Sequence, residues 1–170
     1  MSKVLIAYAS KTGVTQDAAC AIATQLGTAT ALYDCRSRIL TDSDEAETKR
    51  TPVLSEYNAV ILGTAMYMGA PLKELRQFCF THLKELLSLP VAIFTCGVET
   101  AETDGQYLRS HLPEALMRHA LLYRHLGGEV RFERMNAFER MAMREFEKKR
   151  GKAPGIDVNA IRELCSAVMM

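Results

Sequence analysis

Three apolar runs, at residues 4–9, 58–63 and 90–96, constrain this chain more than any other feature. A strand that alternates apolar and polar residues buries one face. A run without that alternation buries both, as strands do inside a parallel sheet. Helical patterns separate the runs. Ala18, Ala19, Ile22, Ala23 and Leu26 recur at helical spacing, and Gly27 supplies the stop. Residues 28–34 read as a second strand, and 36–53 as a polar loop with a short helix. Pro71 suits the first turn of a helix striped by Leu72, Leu75, Phe78 and either Cys79 or Leu83. Residues 99–106 read as a loop and 106–120 as a helix with Leu108, Leu112, Leu116 and His119 inward. A fifth strand is expected over 121–132, interrupted by Gly127 and Gly128. A helix is expected over 135–150, a break at 151–155, and a last helix capped by Asp157 and running to Val168. Strands alternating with helices predict an α/β fold. It is an open parallel sheet with helices on both faces, in one domain spanning 1–170.

The gross numbers exclude several classes. An apolar fraction of 48% and a charged fraction of 24% are globular values. A formal charge of +1 provides no global field to recruit nucleic acid, so no nucleic-acid partner is expected. The five cysteines (Cys20, Cys35, Cys79, Cys96 and Cys165) are odd in number and lack a C-x-x-C pair. Most of them read as small buried residues in a reducing compartment, and no zinc site or disulfide framework is expected. The spacing of His82, His111, His119 and His125 matches no metal-ligand pattern, and no metal site is predicted. The first apolar run is too short for a leader, and no stretch approaches the roughly 20 apolar residues a bilayer requires. A cytoplasmic protein is expected, with peripheral contact at the inner face of the membrane left open.

In an open α/β sheet, ligands bind beyond the C-terminal strand ends. Three loops leave such ends: 10–15, 64–71 and 97–107. The first reads SKTGVT. Gly13 lets the backbone bend, Ser10, Thr12 and Thr15 offer hydroxyls, and the unpaired N–H groups of a helix start favour an anion. The competing reading is a capping turn, since Ser and Thr are common N-caps. The loop contains neither G-x-G-x-x-G nor G-x-x-x-x-G-K-[ST], which removes support for dinucleotide and NTP readings.

S-x-T-G-x-T after the first strand resembles the phosphate loop of flavodoxin-like proteins. GTAMYMGAP at 63–71 and TCG at 95–97, followed by Tyr107, resemble that family's two flavin-contacting loops. The resemblance spans essentially the whole chain. It implies a flavodoxin-like three-layer sandwich with a five-stranded parallel sheet of order 2-1-3-4-5 and FMN as cofactor. It assigns Ser10, Lys11, Thr12, Gly13, Val14 and Thr15 to the FMN phosphate, with Lys11 either attracting the phosphate or pointing to solvent. Thr64, Ala65, Met66, Tyr67, Met68 and Gly69 would line the isoalloxazine, with Tyr67 or a methionine against it. The chain has no Trp to take that place. Cys96, Gly97 and Val98 would approach the pyrimidine side through their backbone, with Tyr107 nearby. Cys96 itself reads as a packed thiol. Glu99, Glu102 and Asp104 read as a solvated acidic loop, or as a charge that disfavours the flavin anion or meets a cationic partner. No catalytic acid, base or nucleophile is assignable.

The C-terminal half is similar to flavodoxin-type, quinone-dependent protoporphyrinogen oxidases and their relatives: LGGEVRF at 126–132, then a Met-rich basic segment, then a final helix. That similarity implies an oxidoreductase passing electrons from an organic substrate, protoporphyrinogen, to a quinone in heme biosynthesis. Residues 131–152 carry eight cations against four anions. They read either as a helix packed on the sheet with its charges solvated, or as an amphipathic surface for an anionic membrane or acidic partner. The alternative function is a flavodoxin-type carrier of electrons between proteins. A net charge of +1 fits that poorly, because typical flavodoxins are strongly acidic.

Overall fold

The apolar runs divide their side chains between two cores. In β1 (Lys3–Ala9), Leu5, Ala7 and Ala9 enter one core, while Val4, Ile6 and Tyr8 enter the other. The same split holds for β4 (Ala59–Tyr67), with Val60 and Leu62 opposed to Ala59 and Ile61. It recurs in β6 (Val91–Cys96), with Val91 and Ile93 opposed to Ala92, Phe94 and Cys96. Each fully buried Leu, Ile or Phe contributes about 1.5–3 kcal/mol relative to exposure, so both faces must be covered. This computed structural model describes residues 2–27, 29–42, 46–153 and 155–170. The expected strand start at Thr28, and Pro154 within the expected break, lie outside them.

α1 (Val14–Leu26) and α7 (Val158–Met169) cover one face through Ala18, Ala19, Ile22, Ile161, Leu164 and Val168. α2 (Lys73–Thr81), α3 (Leu83–Leu86), α4 (Ala101–His111) and α5 (Glu114–His119) cover the other through Leu75, Phe78, Leu86, Leu108 and Leu116. The parallel strands β2 (Ala29–Asp34), β1, β4, β6 and β7 (Leu122–His125) lie side by side in that order, the expected 2-1-3-4-5. The sheet is larger than five strands. β3 (Ile39–Asp42) pairs antiparallel with β2, in a segment expected to be loop and short helix. The Asp34 carboxylate accepts the Arg36 N–H at 2.9 Å and starts the reversing turn. β5 (Ala70–Pro71) folds back on β4, so the helix after Pro71 starts at Lys73.

Three further expectations are corrected. The helix expected over 106–120 is two helices, because Pro113 forces Leu112 into an extended conformation (φ −95°, ψ 159°). It also starts early: Thr100 accepts the Thr103 N–H and launches α4 at Ala101, so the expected acidic loop is largely helical. His119 is only half-buried and pairs through Nε2 with the Leu89 carbonyl. The fifth strand stops at His125, because Gly127 takes φ +80° and turns the chain out of the sheet. β8 (Gly127–Gly128) pairs instead with β9 (Gly155–Ile156). Between them stand a 3₁₀ turn at Phe132–Arg134 and α6 (Ala137–Arg150). The start of α6 is fixed by a capping box in which Asn136 and Glu139 satisfy each other's backbone N–H groups. Asp157 caps α7 as expected, accepting from the Asn159 and Ala160 N–H groups.

Gly63 of β4 pairs in register with Phe94 of β6, and a Cβ at Gly63 would overlap the Phe94 ring. Gly63→Ala should therefore destabilise the protein by about 1–3 kcal/mol through overpacking. Urea unfolding checks this: the midpoint should fall with the slope unchanged, and Phe94→Leu in the same chain should restore part of the loss.

Candidate functional site

The C-terminal ends of β1, β4 and β6 open on one edge, and a cavity of about 340 Å³ lies there. Fourteen of the sixteen residues expected at the site line it: Ser10, Lys11, Thr12, Val14, Thr15, Ala65, Met66, Tyr67, Met68, Gly69, Cys96, Gly97, Val98 and Tyr107. Gly13 and Thr64 do not line it but shape it. Gly13 takes φ +94°, and its N–H donates to Ser10 Oγ at 3.1 Å, which closes the loop tightly. Thr64 is fully buried; its hydroxyl donates to the Ala65 carbonyl and accepts the Leu72 N–H. It pins the base of the β4–β5 hairpin.

That hairpin has the two-residue connection Met68–Gly69, with φ +50° and +77°. Paired positive φ values characterise the hairpin turns that match strand twist, and Met68 adopts one despite its side chain. The turn holds Tyr67 at the cavity rim. Lys11 is held by groups of its own chain. Its ammonium lies 3.2 Å from the Tyr67 ring centroid and 2.7 Å from Glu139 Oε2 on α6. Burial would lower the Lys11 pKa, but the bonds to Glu139 and Tyr67 outweigh it and raise it. The Lys11 hydrogen bond likewise holds Glu139 below the usual carboxylate range.

Two polar groups are buried at the site without a well-aligned partner. Among the described residues Thr15 Oγ1, in the first turn of α1, makes no hydrogen bond of good geometry, and the weak Cys96 thiol lies near it. The Cys96 thiol is pushed up to about 12 by burial, with Thr15 drawing it partly back, so it is a packed group and not a nucleophile. Asp104 is the second. It is fully buried, contrary to the expectation of a solvated loop, and His125 Nδ1 stands 3.0 Å from its Oδ2.

Other lining residues were not anticipated from the sequence. Glu129 and Val130 follow β8, and Met135, Phe138, Glu139, Ala142, Met143 and Phe146 form a roof over the cavity. The expectation that α6 packs on the sheet is thus corrected: its apolar side faces the cavity, and none of its residues is buried. In the sequence Met135, Phe138, Met141 or Ala142, and Glu145 or Phe146 recur along one side at helical spacing, and of these alternatives the structure turns Ala142 and Phe146 to the cavity.

A family model described as a flavodoxin domain matches residues 5–155. Solved structures share the fold. A short-chain flavodoxin associated with a non-canonical PDU bacterial microcompartment aligns with TM-score 0.57 at 13% identity, over 99% of this chain and 97% of that one. A protein from Bacteroides eggerthii aligns with TM-score 0.53 at 18% identity, over 88% and 98%. A flavoprotein from Lactobacillus acidophilus in complex with FMN aligns with TM-score 0.51 at 14% identity, over 74% and 93%. No curated protein matches the chain significantly. With the family model matching most of the chain, this protein belongs to the flavodoxin-domain family.

Proposed function

We propose that the protein is an FMN-binding flavoprotein oxidoreductase. The observation that carries this reading is the convergence of three elements on one cavity: the anion loop, the Tyr67 hairpin and the 96–98 loop. The residues fit the group. Thr15 Oγ1 lacks a partner of its own at the start of a 13-residue helix, where N–H groups and the helix dipole favour a phosphate. Ser10, Thr12 and Thr15 would hold that phosphate. Tyr67 would offer the ring face that Lys11 leaves free, and the backbone of Gly97 and Val98 would meet the polar edge. When bound, FMN supplies two-electron redox chemistry at its ring. The chain's own share is to orient the ring, to exclude water beneath α6, and to set the polarity around it through Met66, Cys96 and the buried Asp104.

Within that class we favour an organic electron donor, protoporphyrinogen, with a quinone as acceptor. The resemblance of 126–152 suggests this pair, and the roof of Met135, Phe138, Ala142, Met143 and Phe146 suits an apolar donor. The alternative is an electron carrier between proteins, for which a net charge of +1 offers little steering. On the outer side of α6, Met141, which is 60% exposed, shares its surface with Arg140, Arg144, Lys148 and Lys152 and with the two carboxylates Glu145 and Glu147. This is the surface we propose for peripheral contact with an anionic membrane holding the quinone. Among the described residues no helix is long and apolar enough to cross one.

Titration of flavin-free protein with FMN should give a saturable, yellow, fluorescence-quenched complex. Thr15→Val should weaken binding by roughly 1–3 kcal/mol, because the hydrogen bond to phosphate is lost. The same change should leave the flavin-free protein as stable or more stable, because it removes a buried unpartnered hydroxyl. Equal FMN affinity in the Thr12→Val, Thr15→Val double variant would return the loop to a capping turn. With FMN bound, protoporphyrinogen should be oxidised steadily when a quinone is present. Cycling only with a protein reductase would favour the carrier. Pelleting with vesicles containing anionic lipid should exceed pelleting with neutral ones and fall as salt rises, each excess cation contributing about 1 kcal/mol.

A further inference from the structure

We infer that Arg131 and Arg134 form a guanidinium clamp over the anion loop, so that the phosphate end of the ligand is recognised by charge as well as by loop N–H groups. This rests on the FMN reading above. In the 3₁₀ turn that precedes α6, Arg134 Nη1 donates to the Thr12 carbonyl at 2.8 Å, and Arg131 Nη1 reaches the same oxygen at 3.4 Å. A Cβ at Gly13 would collide with the Arg134 guanidinium, so the clamp lies directly on the residue that bends the loop. Neither guanidinium lines the cavity; both stand against Gly13, at its anion-loop end. Thr15 Oγ1, buried and without a well-aligned partner in the first turn of the same helix, independently marks this end for a ligand.

The two arginines differ in charge balance. Arg131 is anchored by Asp17 Oδ2 at 2.5 Å and by Glu129, so its charge is offset by two carboxylates. Its position also shields the loop from Asp17, which would otherwise repel an anion at the first turn of α1. Among the described residues the Arg134 guanidinium donates one hydrogen bond, to the Thr12 carbonyl, and pairs with no carboxylate. A guanidinium carries five N–H donors in a rigid fork, so most of those of Arg134 are available to phosphate oxygens. Arg134 is therefore the charge-bearing member and Arg131 the positioning one. The consequence is specificity: the site should prefer a flavin ending in a phosphate dianion to the same ring without it.

The test compares FMN with riboflavin, which shares the ring and lacks the phosphate, on flavin-free protein by fluorescence quenching. Wild type should prefer FMN strongly. Arg134→Gln should lower FMN affinity about tenfold, as expected for a lost charge-assisted hydrogen bond, and leave riboflavin affinity unchanged. The salt dependence of FMN binding should flatten in the same variant. Arg131→Gln should act in the same direction more weakly, and Arg134→Lys should recover part of the preference because it keeps the charge. A merely structural role for Arg134 would lower both flavins together, and that result overturns the clamp. So does an FMN-to-riboflavin ratio unmoved by Arg134→Gln, which leaves the FMN reading standing. Failure of wild type to bind either flavin overturns the FMN reading and the clamp with it.

Discussion

Coverage of the parallel sheet on both faces is the constraint from which the rest follows. β1, β4 and β6 place large side chains in two separate cores, and neither core can be left open to water. Helices must then cross between successive strands, and each crossover returns the chain to the same end of the sheet. All the strand ends that carry polar loops therefore meet on one edge. Strand order reverses between β1 and β4, with β2 and β3 on one side and β6 and β7 on the other. Helices diverge at such a point and leave a crevice, and the cavity lies there. Burial of residues far from any ligand thus decides where a ligand can sit.

What closes the crevice is weaker than what creates it. α6 has no buried residue and is tied down by ion pairs: Lys11 to Glu139, Arg150 to Glu99, and Arg131 to Asp17 just ahead of it. Exposed pairs of this kind contribute about 0–1 kcal/mol each. Sheet burial is an order of magnitude stronger in total, so the roof is held less firmly than the edge beneath it. The low stability belongs where a ligand must enter. Lys11 couples the two parts, because one ammonium contacts the Tyr67 ring and the Glu139 carboxylate together.

The parallel core and the loop edge were legible because they rest on local signals: unbroken apolar runs, and Gly, Ser and Thr placed directly after them. The misread parts depend on partners distant in sequence. Ile39–Asp42 became a strand because β2 offered an open edge, and nothing in its own residues announces that. Gly127–Gly128 left the fifth strand because β9, 27 positions on, pairs with it. Asp104 looked solvated because a charge is ordinarily exposed; His125, brought alongside by β7, is what makes its burial tolerable. Lys11 could not be assigned for the same reason, since its partner Glu139 lies in a segment whose place no periodicity reveals. Pro113 is the contrary case. Its break was written in the sequence, and the run of leucines around it concealed the signal.

Asp104 also shows where the fold accepts cost. A fully buried carboxylate is unfavourable unless its surroundings compensate, and replacing such a pair by apolar residues is often stabilising. Here it sits beneath the cavity edge in a small polar cluster. Thr95 Oγ1 lies 3.1 Å from the same His125 Nδ1 and 3.0 Å from Tyr123 Oη, which donates to the Ala101 carbonyl. Burial pushes the Tyr123 hydroxyl up to about 12, so it stays protonated and remains a donor. These contacts join the ends of β6 and β7 to the first turn of α4, and the 97–100 loop is strung between them. A wholly apolar cluster would fill the space without fixing direction. Hydrogen bonds and ion contacts impose angles, and the loop we propose to present its backbone to a flat ligand requires them. The polar cluster therefore has the placement expected of a part whose task is orientation, while the apolar cores on either side supply the stability that permits it.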